Sequence, residues 1–225
     1  MRAFVDLHSH SNGSFDSLAS PKDMMKAAVD RGLTHLAITD HDRVDVAQEA
    51  RVLAPDALTV IVGEEVKTRD GDLICVFLER AIPPGLSAME TIAAAREQGG
   101  LVGIPHPFDR MRGSLLRDAA MASLAPHVDW VEAHNARVVG HGNEDASAFA
   151  LEHGLPGIAV SDAHSLMEIG VAYIALDGDP STPAGLLAAL EHVEVIPGRA
   201  SYFVRLWTPL AKGVNRLRGN GRVQP

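Results

Sequence analysis

The sequence predicts a single α/β domain, a slightly reduced or distorted barrel of parallel strands. Three observations predict it. Strand-like and helix-like segments alternate from residue 3 to residue 196, with no linker, repeat or low-complexity tract between them. Successive units run roughly 20–40 residues, long enough for right-handed parallel crossovers. Six strand-like segments are followed at once by histidine or carboxylate side chains, and in parallel α/β folds that strand end is where sites form.

The elements follow from local chemistry. Residues 3–7 read as the first strand. Ser20-Pro21-Lys22-Asp23 opens a helix over 21–31, with Ser20 as N-cap, proline in the first turn and Gly32 as the stop. A strand over 36–39 and a helix over 44–53 come next. Residues 58–62, rich in β-branched side chains, and 73–78 read as two strands joined through the turn Arg69-Asp70-Gly71-Asp72. A helix over 88–98 ends at Gly99-Gly100, and a short strand over 101–104 runs into Pro-His-Pro. The second half repeats the rhythm, with strands over 128–133, 158–160, 171–176 and 193–196 and helices over 143–152 and 183–190. Closing about seven such units gives a TIM-like barrel, and opening them gives a doubly wound sheet. The reduced barrel is the expectation.

At 225 residues and 46% hydrophobic, the chain can bury one substantial core. No apolar run approaches the roughly 20 residues of a membrane helix, and the N-terminus enters a strand pattern without a signal-peptide core, so a cytoplasmic protein is expected. A lone Cys75 excludes an internal disulfide and a thiolate cluster. The formal charge of −9 argues against nonspecific nucleic-acid binding. The charge is uneven, however: Arg199, Arg205, Lys212, Arg216, Arg218 and Arg222 are followed or flanked by no acid from residue 199 onward. Residues 1–200 are expected as the main domain. Residues 201–225 form a basic C-terminal segment, a packed helix or a tail.

The polar residues at the strand ends carry the functional argument. His8 and His10 follow the first strand, Asp40 and His41 the second, and Glu64 and Glu65 the third. His106, His134, and the pair Asp162 and His164 follow later ones. Residues i and i+2 of a strand share a side, so His8/His10 and Asp162/His164 can each clamp one ion or bridge two. Imidazole plus carboxylate without thiolate suits Zn, Mn or Fe. Asp6 and Asp40 sit where they could accept the distal N–H of a ligating histidine. Each histidine alone has a bland alternative, a turn, a core or a helix-cap residue; together, at one end of successive strands, they point to a metal site.

The chain resembles the PHP (polymerase and histidinol phosphatase) superfamily. The resemblance rests on Asp6-Leu7-His8-Ser9-His10 with Ser14-Phe15-Asp16-Ser17, on Leu36-Ala37-Ile38-Thr39-Asp40-His41-Asp42, and on Gly63-Glu64-Glu65. It extends to Gly103-Ile104-Pro105-His106-Pro107-Phe108 and Ser161-Asp162-Ala163-His164. It implies a distorted (β/α)7 barrel with a trinuclear centre, and it implies that His8, His10, Asp16, His41, Glu65, His106, His134, Asp162 and His164 fill the ligand positions. Glu64 competes with Glu65, and Glu132 and Asn135 compete with His134.

The expected chemistry is hydrolysis of a phosphoester, a small phosphomonoester or nucleotide, by a metal-bridging hydroxide on two to three divalent ions. Asp162, His164 and His41 are the expected catalytic residues. Arg110, Arg112, Arg137 and Arg199 are candidate phosphate contacts. The alternatives are exonuclease-type hydrolysis of short oligonucleotides, a C–N bond metallohydrolase, and a noncatalytic metal-binding module. With two Trp, two Tyr and six Phe, an extended base-stacking platform is not expected.

Overall fold

A computed structural model describes residues 1–109, 118–201, 203–204 and 207–221, the side chains of 118–120 excepted. Its strands are β1 (Arg2–Asp6), β2 (His35–Ile38), β3 (Thr59–Lys67), β4 (Asp72–Val76), β5 (Leu101–Ile104), β6 (Trp130–Asn135), β7 (Gly157–Val160), β8 (Tyr173–Asp177) and β9 (Glu194–Ile196). Its helices are α1 (Pro21–Asp30), α2 (Asp45–Leu53), α3 (Ala88–Arg96), α4 (Asp118–Leu124), α5 (Gly142–Glu152), α6 (Pro183–Leu190) and α7 (Trp207–Leu217). None of the described helices is long and apolar enough to cross a membrane.

One sheet holds all the strands, in the order β7-β6-β5-β4-β3-β2-β1-β8-β9. It curls nearly shut. Just beyond β1 and β7, Ser9 and Ala163 pair as a parallel bridge, and the His10 amide donates to the Ala163 carbonyl at 2.8 Å. The result is the expected distorted TIM-like barrel.

The sheet is not wholly parallel, and each departure has a cause. Strand β4 runs against both β3 and β5. Only a tight turn separates β3 from β4, closed by Thr68 N–H to Gly71 O at 3.1 Å, and a parallel partner would need a crossover of a dozen residues or more. Strand β8 runs against β1. Between β7 and β8 the chain forms no helix to carry it back to the far end, so it re-enters the sheet from the end it left.

Helix starts follow the capping chemistry. Ser20 accepts from Asp23 N–H ahead of Pro21, Ser87 and Glu90 form a reciprocal capping box, and Thr182 accepts from Gly185 N–H ahead of Pro183.

Strands β2 to β6 alternate between two buried clusters. Leu36, Ile38, Val60, Val62, Val66, Leu73, Cys75, Val102, Ile104 and Val131 pack against helix residues such as Met24, Ala28, Ala47 and Ile92. Ala37, Ile61, Ile74, Val76, Leu101 and Trp130 form the other face. Gly103 makes room for the fully buried Trp130, because a Cβ there would meet the indole nitrogen at 2.1 Å.

Candidate metal centre

The alternation decides which side chains reach the site. On β3, Ile61, Gly63 and Glu65 share the inner face, whereas Glu64 points with Val62 and Val66 into the layer beneath the helices. Glu65 therefore joins the histidines and Glu64 does not. His41 pairs with Glu65 in an isolated parallel bridge that extends β2. Asp16 comes from the loop after β1, which is folded tightly by Asn12 N–H to Ala19 O at 2.7 Å and Ser14 N–H to Ser11 O at 3.0 Å.

Eight of the nine expected ligands converge at this rim. Glu65 Oε2 lies 3.2 Å from His10 Nε2, 3.4 Å from His8 Nε2 and 3.3 Å from His41 Nδ1. Glu65 Oε1 lies 3.0 Å from His106 Nε2. Asp162 Oδ1 faces both His8 Nε2 and His10 Nε2 at 3.6 Å. Asp16 Oδ2 faces His41 Nε2 at 3.4 Å and His164 Nε2 at 3.3 Å. Three sets of donor atoms lie close enough to share an ion: His10, Asp16, His41 and His164; His8, His10 and Asp162; and Glu65, Asp72 and His106. His106 and Asp162 hold positive φ, 30° and 51°. Such strain in a non-glycine residue collects at functional sites, where the surroundings hold the residue in place.

His134 is the expected ligand that the structure does not bring to the cluster. Its Nε2 is 2.7 Å from the Gly198 carbonyl, on the other side of β6. A register shift between Glu132 and His134 is the cause: the two residues face Ile158 and Ala159, which are adjacent on β7. This bulge inserts one residue and reverses the alternation beyond it. Glu132 and Asn135 face the site instead. Glu132 Oε1 is 2.6 Å from His8 Nδ1, and Asn135 Nδ2 donates to Glu132 Oε2 at 2.9 Å and to Asp162 Oδ2 at 3.1 Å.

Asp6 and Asp40 act on backbone rather than on imidazole. Asp6 Oδ1 accepts from Ser161 N–H at 3.1 Å and His8 N–H at 3.4 Å, tying the ends of β1 and β7. Asp40 accepts from Ser11 N–H at 2.6 Å and from the Ser11 hydroxyl. Of the candidate phosphate contacts, Arg137 is buried and committed within the protein, donating to Thr208 Oγ1 at 2.7 Å with its Nε 3.6 Å from Glu168 Oε1. Arg199 is exposed. Arg110 and Arg112 lie outside the described residues.

Two contributors escaped the sequence reading. Asp72 opens β4, and because β4 is inverted its start lies at the same rim as the ends of β3 and β5. The predicted hairpin was the signal that could have placed it there. Glu168 accepts from His164 N–H at 3.1 Å and Ser165 Oγ–H at 2.7 Å, fixing the His164 loop; nothing in its sequence context marks it.

The electrostatics are those of a site built around cations. Burial opposes charge on His8, yet the Glu132 and Asp162 carboxylates hold its pKa well above the ordinary value. His10, likewise against burial, is raised to about 9 by Asp162 and Glu65. Asp16 and Glu65 are held well below the usual carboxylate range despite burial, Asp16 by His164 and His41, Glu65 by His41, His10, His106 and His8. His164 is pushed down to about 3 by burial and by Arg137, against Asp16. Buried Asp16 Oδ1, Glu65 Oε2, His41 Nδ1 and His106 Nδ1 have no hydrogen-bond partner among the described residues. Buried polar atoms are almost always satisfied. A divalent ion held between imidazole and carboxylate would satisfy these, so the residues fit a metal.

A curled α/β barrel with buried imidazoles and carboxylates at its strand-end rim defines a candidate metal-dependent hydrolase. The chain belongs to the PHP family: the PHP-domain model matches residues 6–139, and the PHP-associated model matches residues 140–195. An uncharacterised protein of Methanocaldococcus jannaschii is 34% identical over 174 residues, covering 76% of this chain and 69% of that protein. The fold matches a two-domain protein of Bacteroides vulgatus containing a predicted PHP-like metal-dependent phosphoesterase (TM-score 0.73, 18% identity), covering 88% of this chain and 65% of that one. It also matches a lesion-specific endonuclease of Pyrococcus furiosus (TM-score 0.65, 18% identity), covering 87% of this chain and 58% of that one. The chain therefore spans about two thirds or less of either structural neighbour. Its fold is that of the PHP-like metal-dependent phosphoesterases.

Proposed function

We propose that the chain hydrolyses a phosphoester, a small phosphomonoester or nucleotide, with two to three divalent ions (Mn, Zn or Fe) held at the strand-end rim. The observation that carries this is Glu65: one fully buried carboxylate with four histidines around its two oxygens at 3.0–3.4 Å. A carboxylate so placed can be shared between neighbouring ions. His10, Asp16, His41 and His164 would hold one ion, and His8 and Asp162, with Glu65 beside them, another. Glu65 and His106 would hold a third, with Asp72 within reach.

Ions bound there would supply Lewis-acid activation of water and neutralise charge growing at phosphorus. The chain's own residues do the rest. Glu132 accepts from the distal nitrogen of His8 and orients its ring. Ser14 Oγ does the same for His10 Nδ1 at 3.1 Å. Asp162, His41 and His164 line the rim and handle protons of the attacking water and the leaving group. In this reading residues 1–200 form the hydrolase domain and residues 201–225 are a basic segment, of which helix α7 packs against that domain.

A second reading, hydrolysis at the end of a short oligonucleotide, is favoured by one observation. Helix α7 carries Lys212 and Arg216, with Arg218 just past its end, and packs beside the Asp16 loop. The likeness to the Pyrococcus endonuclease fold is consistent with it.

The test is phosphate release with added Mn²⁺ from a panel: an aryl phosphate, histidinol phosphate, AMP, a 3′,5′-nucleoside bisphosphate and a 5′-phosphorylated trinucleotide. Release that disappears in His41→Ala is expected, and the ranking separates the two readings. No release from any ester, by protein that holds its metals, overturns both.

A further inference from the structure

We propose that helix α7 belongs to the machinery of the site: through Asn215 it sets the loop that presents Asp16, and so governs the ion held by His10, Asp16, His41 and His164. This rests on the metal-centre reading above. In α7 only Ala211 and Asn215, one turn apart, are buried. A helix held by packing alone would place an apolar side chain at the second position, because burying an amide is costly unless it is hydrogen-bonded. Here the amide nitrogen serves two acceptors. Asn215, 2% exposed, donates from Nδ2 to Ser14 O at 3.1 Å and to Ser17 O at 2.9 Å. These two carbonyls flank Phe15 and Asp16.

The same four-residue turn touches three ligands. Ser14 Oγ accepts from His41 N–H at 3.0 Å and lies 3.1 Å from His10 Nδ1. Ser17 Oγ contacts His10 O at 2.9 Å and His164 O at 3.1 Å. One amide on α7 therefore pins both ends of a turn that positions Asp16 and braces His10, His41 and His164. Past the helix, Asn220 repeats the device on Asn12 O at 3.2 Å and Gly13 O at 3.3 Å. Lys212 Nζ lies 5.3 Å from the Phe15 ring centroid, and that ring lies 4.9 Å from the His41 ring. At the other end of α7, Thr208 receives Arg137, whose Nη1 lies 3.5 Å from Asp162 O. The helix thus straps the Asp16 loop to the β6–β7 side of the rim. Asn215 is a positioning residue, one step removed from the reacting atoms.

Asn215→Asp, in the full chain, is nearly isosteric and cannot donate to either carbonyl. The readouts are metal content after dialysis against Mn²⁺, affinity by competition with a chromophoric chelator, and thermal midpoint in excess EDTA. One Mn²⁺ equivalent should bind about 10- to 100-fold more weakly, the range for losing a residue that orients metal ligands. The other equivalents should bind as in the wild type, and the metal-free midpoint should fall by only a few degrees. A role in packing alone would lower the metal-free midpoint and leave every ion's affinity unchanged, which overturns the proposal. If Asn215→Asp does not fold, Asn220→Ala carries the test: a severalfold loss confined to the same ion supports the inference, and wild-type affinity overturns it. Wild-type protein that takes up no Mn²⁺ would instead overturn the metal-centre reading itself, and this inference with it.

Discussion

Glu64 and Glu65 are neighbours in sequence with opposite surroundings, and Glu64→Gln turns that contrast into a measurement. Glu64 is fully buried behind β3. Burial pushes its carboxyl from 4.5 up to about 8, opposed by the Ile82 N–H it accepts at 2.9 Å and assisted by Asp42. That rise sets a ceiling of about 5 kcal/mol on the cost of ionising Glu64 in the fold. Structural relaxation and water entry reduce it to roughly 2–4 kcal/mol. The sign follows from linkage. The folded state binds the proton more tightly than the unfolded chain, so the stability is fully present below pH 4.5 and is lost as pH rises through 8. Glutamine is neutral throughout and still accepts from Ile82. Glu64→Gln should therefore melt close to wild type at pH 5 and higher by about 5–15 °C at pH 9, at roughly 2–4 °C per kcal/mol for a chain of this size. Scanning calorimetry in EDTA across pH 5–9 measures it. An offset that does not change with pH, or a variant that melts below wild type at pH 9, refutes the assignment of Glu64 to the apolar layer.

Two further outcomes are expected. His134→Ala should keep wild-type Mn²⁺ content and phosphate release, whereas Glu132→Ala, which strips the 2.6 Å partner from His8, should weaken Mn²⁺ binding about 10- to 100-fold; the reverse order would place His134 at the site. Mn²⁺ binding should also release protons and tighten as pH rises from 6.5 towards 9, because His10 keeps its proton up to about pH 9 in the metal-free protein. Calorimetric titration in two buffers of different ionisation enthalpy counts those protons, and a count near zero at pH 7 would contradict the charge balance described here.

Much of this was legible in the sequence, and the gaps have physical causes. Capping residues and β-branched runs mark the barrel elements, and strand-end placement points His8, His10, His41, His106, Asp162 and His164 to one rim, while the choice of Glu65 over Glu64 rests on the family resemblance. His134 misses the cluster because a bulge is a pairing event between β6 and β7, and β6 carries no glycine or proline at residues 132–135 to announce it. In the sequence Asp72 has the signature of a turn residue, although an inverted strand puts its first residue where its neighbours put their last. Asn215 lies in a stretch whose charge drew attention, while its burial depends on a loop some 200 residues earlier.

The Ser9–Ala163 closure also has a consequence in time. Asp6 and Ser161, which brace that seam, stand 155 residues apart. During synthesis His8 and His10 emerge early, yet their partners Asp162 and His164 arrive near the end. No nascent fragment lacking β7 can assemble the His8–His10–Asp162 set. Under the proposed metal reading, ion capture by this set waits for a finished barrel.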